Sequence, residues 1–67
     1  MNEILFSYNN TRCHATKVTK ELVESNADMS NAIKNPNRYI GELNGYDIYS
    51  FTVLFNQFGF FAVKKGE

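Results

Sequence analysis

Apolar and polar residues alternate near the start of the chain, and the alternation predicts a β-strand. Over residues 3–8, Ile4, Phe6 and Tyr8 share one face, while Leu5 and Ser7 share the other. A period of two is typical of a strand with one face buried. We therefore expect the chain to open with a strand.

The residues after this strand allow two interpretations. Asn9 and Asn10 tolerate the positive φ that a tight hairpin needs. Residues 11–16 then return as a second strand, or they form a loop that leads into a helix, because their own alternation is poor.

Residues 19–34 predict a helix. Thr19 is a suitable N-cap, and apolar residues recur along one face at Val18, Leu22, Met29 and Ile33. Asn26 interrupts the apolar stripe. The helix therefore either continues through Asn26 or breaks there, with Asp28 capping a second helix. Pro36 disfavours helix at the residue before it and ends the segment.

The last thirty residues predict three strands, at 38–43, 46–55 and 58–65. Asn44-Gly45 between apolar runs is a strong hairpin signal, and Asn56-Gln57 separates the next two runs. In the middle strand one face is more aromatic than the other and is the predicted core face. Its members are Tyr49, Phe51, Val53 and Phe55.

The final strand is apolar on both faces from Phe58 to Val63. Such a strand is either central in a sheet or paired with another molecule. Lys64 and Lys65 follow it and are typical of charged residues that limit aggregation.

These elements predict one α+β domain over residues 1–67. It has an N-terminal strand or hairpin, one helix, intact or broken, and a C-terminal three-stranded antiparallel meander whose aromatic face packs on the helix. A chain of 67 residues has a small core, and we expect the aromatic residues, 15% of the chain, to supply much of its buried apolar area.

Charge and composition argue against several classes of partner and location. Lys plus Arg and Asp plus Glu are balanced at seven each, so no overall field favours nucleic acid or anionic lipid. The N-terminal residues resemble no secretion signal, and no apolar run reaches the length of a membrane span. We expect a cytoplasmic protein that does not engage membranes.

Candidate chemistry is sparse, so we expect no enzyme, no cofactor and no metal site. Cys13 and His14 are the single cysteine and histidine, and neighbours in a strand point to opposite faces. An enzyme hypothesis would require a reactive Cys13 with His14 and a carboxylate brought close by the fold.

The leading hypothesis is a small non-enzymatic protein-interaction or assembly module. It would act as a homo-oligomer or bind a protein partner through its aromatic sheet or an exposed edge. The content of nine Asn fits an AT-rich genome, as in a bacterial or phage accessory protein. The predicted interface residues are Tyr46, Tyr49, Phe58, Phe60 and Phe61.

The alternative hypothesis is a single-stranded nucleic-acid-binding protein. The run from Phe58 to Val63 partly resembles the aromatic ribonucleoprotein motif of RNA-recognition and cold-shock domains, in which rings on a sheet stack on bases. Here Asn56-Gln57 stands where those families have a basic residue and glycine. Exposed Tyr and Phe rings with Lys64 and Lys65 would carry this activity.

Overall fold

The computed structural model describes residues 2–54 and 57–66, with side chains for all of these except residues 54, 57 and 58. Along these described residues, five strands and two helices follow one another, with a 3₁₀ turn at Pro36–Arg38 before the third strand. The elements are β1 (Glu3–Tyr8), β2 (Thr11–Val18), α1 (Lys20–Ser25), α2 (Ala27–Lys34), β3 (Tyr39–Leu43), β4 (Tyr46–Leu54) and β5 (Gln57–Lys64). Among the described residues, no helix is both long and apolar enough to cross a bilayer.

All five strands belong to one mixed sheet of order β1-β2-β5-β4-β3. The predicted fold, a C-terminal three-stranded meander packed on one helix, is wrong. β3 pairs with β4, and β4 with β5, in the antiparallel sense. However, β5 also pairs in parallel with β2, from Thr16 opposite Phe61 to Val18 opposite Val63. This pairing makes β5 a central strand, which explains why its residues are apolar on both faces.

The helical segment, predicted as one helix, intact or broken, forms two short helices rather than one continuous helix. Thr19 caps α1 as expected, because its hydroxyl accepts a hydrogen bond from the Leu22 N–H at 3.1 Å. Asn26 then separates the helices, and its side-chain oxygen accepts from the Met29 N–H at 3.1 Å. Asn26, and not Asp28, therefore caps α2, because its extended backbone leaves the side chain free to reach the new helix.

Within the described part of the chain, two hairpins use asparagine in the left-handed backbone region. Asn9 and Asn10 have φ of 53° and 62°, and Asn44 and Gly45 have φ of 53° and 82°. Two such residues in succession match the twist of the flanking strands. Of the two interpretations of residues 11–16, the structure shows the strand, which extends to Val18.

The sheet carries apolar residues on both faces. On the helix face, Phe61 is 0% exposed and packs with Val23, Met29 and Ala32 of the helices. On the opposite face, Ile48 is 2% exposed and packs with Ile4, Ala15 and Ala62. The prediction that one face of β4 forms the core is therefore only partly right. Ile48, on the other face of β4, is buried, while Val53, on the predicted core face, is 51% exposed. Phe55 lies outside the described residues.

The sheet curls toward the face without helices, which we call the concave face. In a flat sheet, β1 and β3 would lie about 19 Å apart, since neighbouring strands are separated by about 4.8 Å. Instead Phe6 of β1 and Ile40 and Leu43 of β3 pack against the same buried cluster. The two edge strands therefore approach each other across the concave face.

Candidate interaction surface

The predicted interface residues do not share one surface. Phe61 is fully buried on the helix face, where Tyr49 stacks on it with ring centroids 5.5 Å apart and planes inclined by 21°. Phe60 and Tyr46 are half-buried on the concave face. The side chain of Phe58 lies outside the described residues.

Most of these rings already have aromatic or cationic partners within the chain. Phe60 makes edge contacts with Phe6 and Tyr8, with centroid distances of 5.0 and 5.8 Å. The ammonium of Lys17 lies 5.1 Å from the centroid of the Tyr46 ring. Aromatic pairs contribute about 0.5–1.5 kcal/mol beyond the area that they bury. The aromatic residues thus stabilise the fold, and a partner would have to displace these contacts to stack on them.

The lysine proposed for nucleic-acid binding at position 65 is engaged elsewhere. Its Nζ donates a hydrogen bond to Oε1 of Glu42 at 3.3 Å. This bond, together with the charge of Glu42, raises the pKa of Lys65 above its ordinary value. Lys65 therefore faces a carboxylate of the same molecule.

Cys13 and His14 point away from each other. Cys13 lies opposite Phe6 of the concave face, whereas His14 lies opposite Leu5, and its Nδ1 is 2.8 Å from Oε2 of Glu3. Within the described residues, no three His, Cys, Asp or Glu side chains are grouped closely enough to hold a metal ion. The structure thus brings a carboxylate to His14 but places the Cys13 side chain on the opposite face of β2.

The exposed apolar residue that stands out is Leu5, on the edge strand β1. Leu5 is 67% exposed and lies on the helix face of the sheet, beside the pair formed by Glu3 and His14. Within the described residues, β1 pairs with β2 on one side and with no strand on the other. Leu5 thus marks a sheet edge that is both apolar and open.

A cavity of about 290 Å³ separates the two edges of the sheet. It is lined from both sides, and its residues were not predicted as a site because β1 and β3 are distant in sequence. The available signal was the alternation that puts the Leu5 and Phe6 side chains on different faces of β1. This alternation does not reveal which strands lie at the edges of the sheet. The lining residues are Leu5, Phe6, Ser7, Ile40, Gly41, Glu42, Leu43 and Ile48.

Comparison with known proteins leaves the surface to be interpreted from its own geometry. The chain matches no protein-family model, and neither the curated proteins nor the solved structures contain a significant match to it.

Proposed function

We propose that the chain is a small non-enzymatic protein-interaction module that captures its partner by strand addition at the free edge of β1. The observation that carries the proposal is the open edge of β1 beside an exposed Leu5. Main-chain hydrogen bonds supply affinity in this mode of recognition, and alternate side chains supply specificity.

The hydrogen-bond pattern of the first hairpin indicates which groups face outward. The Lys17 N–H donates to the Asn2 carbonyl, and the two-residue turn makes Tyr8 and Thr11 a hydrogen-bonded pair. Because bonded and non-bonded pairs alternate in an antiparallel ladder, the even-numbered residues of β1 bond to β2. The N–H and C=O groups of Glu3, Leu5 and Ser7 therefore point to the open edge.

The other edge of the sheet is less regular. β3 has five residues, and its register with β4 shifts between Tyr39 and Gly41. A bulge disrupts the ladder locally, so it limits how much of β3 can pair regularly with a further strand. In contrast, β1 pairs with β2 in one unbroken register over its six residues. β1 is therefore the longer and more regular of the two edges.

Burial of Leu5 would add apolar contact to the main-chain bonds. Full burial of a leucine contributes about 1.5–3 kcal/mol, and Leu5 begins 67% exposed. A partner side chain that packs beside Leu5 on the helix face would gain much of this free energy.

The proposal is tested with a displayed library of random peptides of about twelve residues, which is longer than a typical strand of about 5–6 residues. Ser7→Pro removes an outward N–H, and Leu5→Asp removes the apolar contact. We expect each substitution to weaken binding of the selected peptides by about tenfold or more in Kd, which corresponds to about 1.4 kcal/mol. Leu22→Asp is the matched control, because Leu22 is also an exposed leucine but lies on α1.

Peptides that bind all of these variants equally would place recognition elsewhere. Failure to select any peptide, with a monomeric mass by light scattering at every concentration, would overturn the proposal.

A further inference from the structure

The two edges of the sheet form the walls of a slot, which we define by the residues that line the 290 Å³ cavity between β1 and β3. On the β1 side, Leu5 and Ser7 direct main-chain groups toward it. On the β3 side, Asn44-Gly45 is a two-residue turn, so Leu43 and Tyr46 form a bonded pair and Glu42 directs its main chain outward. Both walls therefore offer donors and acceptors to a strand between them.

The floor of the slot is apolar. Phe6, Ile40, Leu43 and Ile48 line the cavity and belong to, or pack against, the buried cluster of the concave face. Side chains point alternately to the two faces of a strand. Every second residue of an occupant would therefore meet this floor, and an apolar residue fits there.

We infer that the partner of this module is an isolated extended peptide segment that occupies the slot, pairs with β1 and β3 at once, and completes the curled sheet as its sixth strand. This inference rests on the proposed function and names its partner. Because both sides of the occupant are used, the occupant carries no further strand of its own. The edge of another folded sheet, including that of a second copy of this chain, does not meet that condition.

The strand directions and charges orient the occupant. β1 and β3 run in opposite directions, as the chain of pairings across the sheet requires. Glu3 near the start of β1 and Glu42 near the end of β3 therefore lie toward the same end of the slot, where His14 contacts Glu3 and Lys65 contacts Glu42. Both contacts are solvent-exposed, and exposed contacts of this kind contribute little free energy, so a basic residue of the peptide can compete for these carboxylates. Arg12 lies opposite Ser7, toward the other end.

These charges favour one order along the peptide. An occupant antiparallel to β1 begins near Arg12 and ends near Glu3 and Glu42. Antiparallel pairing is slightly more stable than parallel pairing, and β1 is the longer, regular wall. The favoured peptide alternates apolar and polar residues, with an acidic residue near its start and a basic residue near its end.

The test uses two synthetic peptides of equal composition. The first is Glu-Val-Thr-Val-Thr-Val-Thr-Val-Lys, and the second exchanges its terminal Glu and Lys. Amide hydrogen exchange is followed by NMR on the intact chain with each peptide. We expect the first peptide to bind at least about threefold more tightly, and to slow exchange at Leu5 and Ser7 of β1 and at Glu42 of β3 together.

Variants separate the two walls. Ser7→Pro and Glu42→Pro each remove one outward N–H, and each is expected to weaken the first peptide by about tenfold. Glu42→Gln is the control for the lost charge, because it keeps the N–H.

Protection of Leu5 and Ser7 without Glu42, or loss of binding in Ser7→Pro alone, would overturn the slot and leave strand addition at β1 standing. A dimer without peptide that is abolished by Ser7→Pro would make the occupant a second copy, and would likewise overturn the slot. Absence of any binding that depends on β1, in these peptides and in the library, would remove the proposed function itself.

Discussion

Thr16 of β2 lies opposite Phe61 of β5 in a parallel pair, and this pair joins the N-terminal hairpin to the rest of the sheet. The parallel register extends over three residue pairs, from Thr16 to Val18. The Phe61 side chain that leaves this pair is fully buried between the sheet and both helices. One residue thus belongs to the sheet junction and to the core of the helix face.

Phe61→Ala is therefore expected to remove a large part of the stability of the fold. Truncation of a buried phenylalanine costs about 3–5 kcal/mol, while the free energy of unfolding of a whole domain is about 5–15 kcal/mol. Urea unfolding followed by circular dichroism would measure the loss. The matched control is Val53→Ala in the neighbouring strand β4, where the side chain is 51% exposed and a loss below about 1 kcal/mol is expected. Equal losses in the two variants would contradict the central position of Phe61.

The junction also shows what the sequence could and could not predict. Local signals were sufficient to predict the strand at residues 3–8 from its alternation, the hairpin turn at Asn44-Gly45 and the helix N-cap at Thr19. The parallel pairing of Thr16 with Phe61 joins residues 45 positions apart in sequence, and no local pattern encodes it. The apolar character of both faces of β5 indicated a central strand, but it did not identify the neighbour.

The candidate surface also depends on contacts that are distant in sequence. Tyr49 was predicted at an interface because tyrosine combines a large contact area with a polar tip, and Phe61 because its strand is apolar on both faces. In the structure these two rings stack on each other. Leu5 was placed on the face of its strand that does not carry Ile4, Phe6 and Tyr8. It is exposed because β1 lies at the edge of the sheet and the cluster under the helices does not include Leu5. Strand order therefore decides which apolar residues are open, and strand order depends on contacts that are distant in sequence.

Asn26→Ala is expected to destabilise the chain by about 1 kcal/mol, because the side chain of Asn26 caps α2 through the Met29 N–H. Thermal or urea unfolding would detect the change. Asn26→Asp keeps an acceptor at the cap and should retain most of the stability. Asn31→Ala is the control within the same helix: Asn31 is exposed, and alanine there has the higher helix propensity. A loss in Asn31→Ala as large as in Asn26→Ala would argue against the cap.

Tyr49 is expected to make the fold less stable in alkaline solution. Burial raises the pKa of Tyr49 above its ordinary value of 10.0, and the nearby Asp47 and Tyr39 raise it further. The folded chain thus holds the phenol proton to higher pH than the unfolded chain does. The contribution of Tyr49 to the free energy of unfolding is therefore fully present below pH 10, and it is lost as the pH rises through the folded-state pKa.

The free energy of unfolding of the wild-type chain and of Tyr49→Phe, measured from about pH 9 to about pH 11, isolates this effect. The pKa of Lys65 is also raised, chiefly by its hydrogen bond with Glu42, and it contributes in the same direction in both proteins. The wild type should lose stability more steeply than Tyr49→Phe. Parallel curves would mean that the Tyr49 phenol titrates alike in the folded and unfolded chains.

Proline substitutions in the first hairpin test the hydrogen-bond pattern on which the open edge depends. The N–H of Ser7 points away from β2, so Ser7→Pro should change the free energy of unfolding by less than about 1 kcal/mol. Cys13 forms a bonded pair with Phe6, so Cys13→Pro removes a donor inside the ladder. It should cost about 1–3 kcal/mol more than Ser7→Pro, because a carbonyl of β1 loses its partner. Circular dichroism and urea unfolding of both variants provide the comparison. If Ser7→Pro were the more damaging change, the outward groups of β1 would belong to its even-numbered residues, and an incoming strand would find no donor at Leu5 or Ser7.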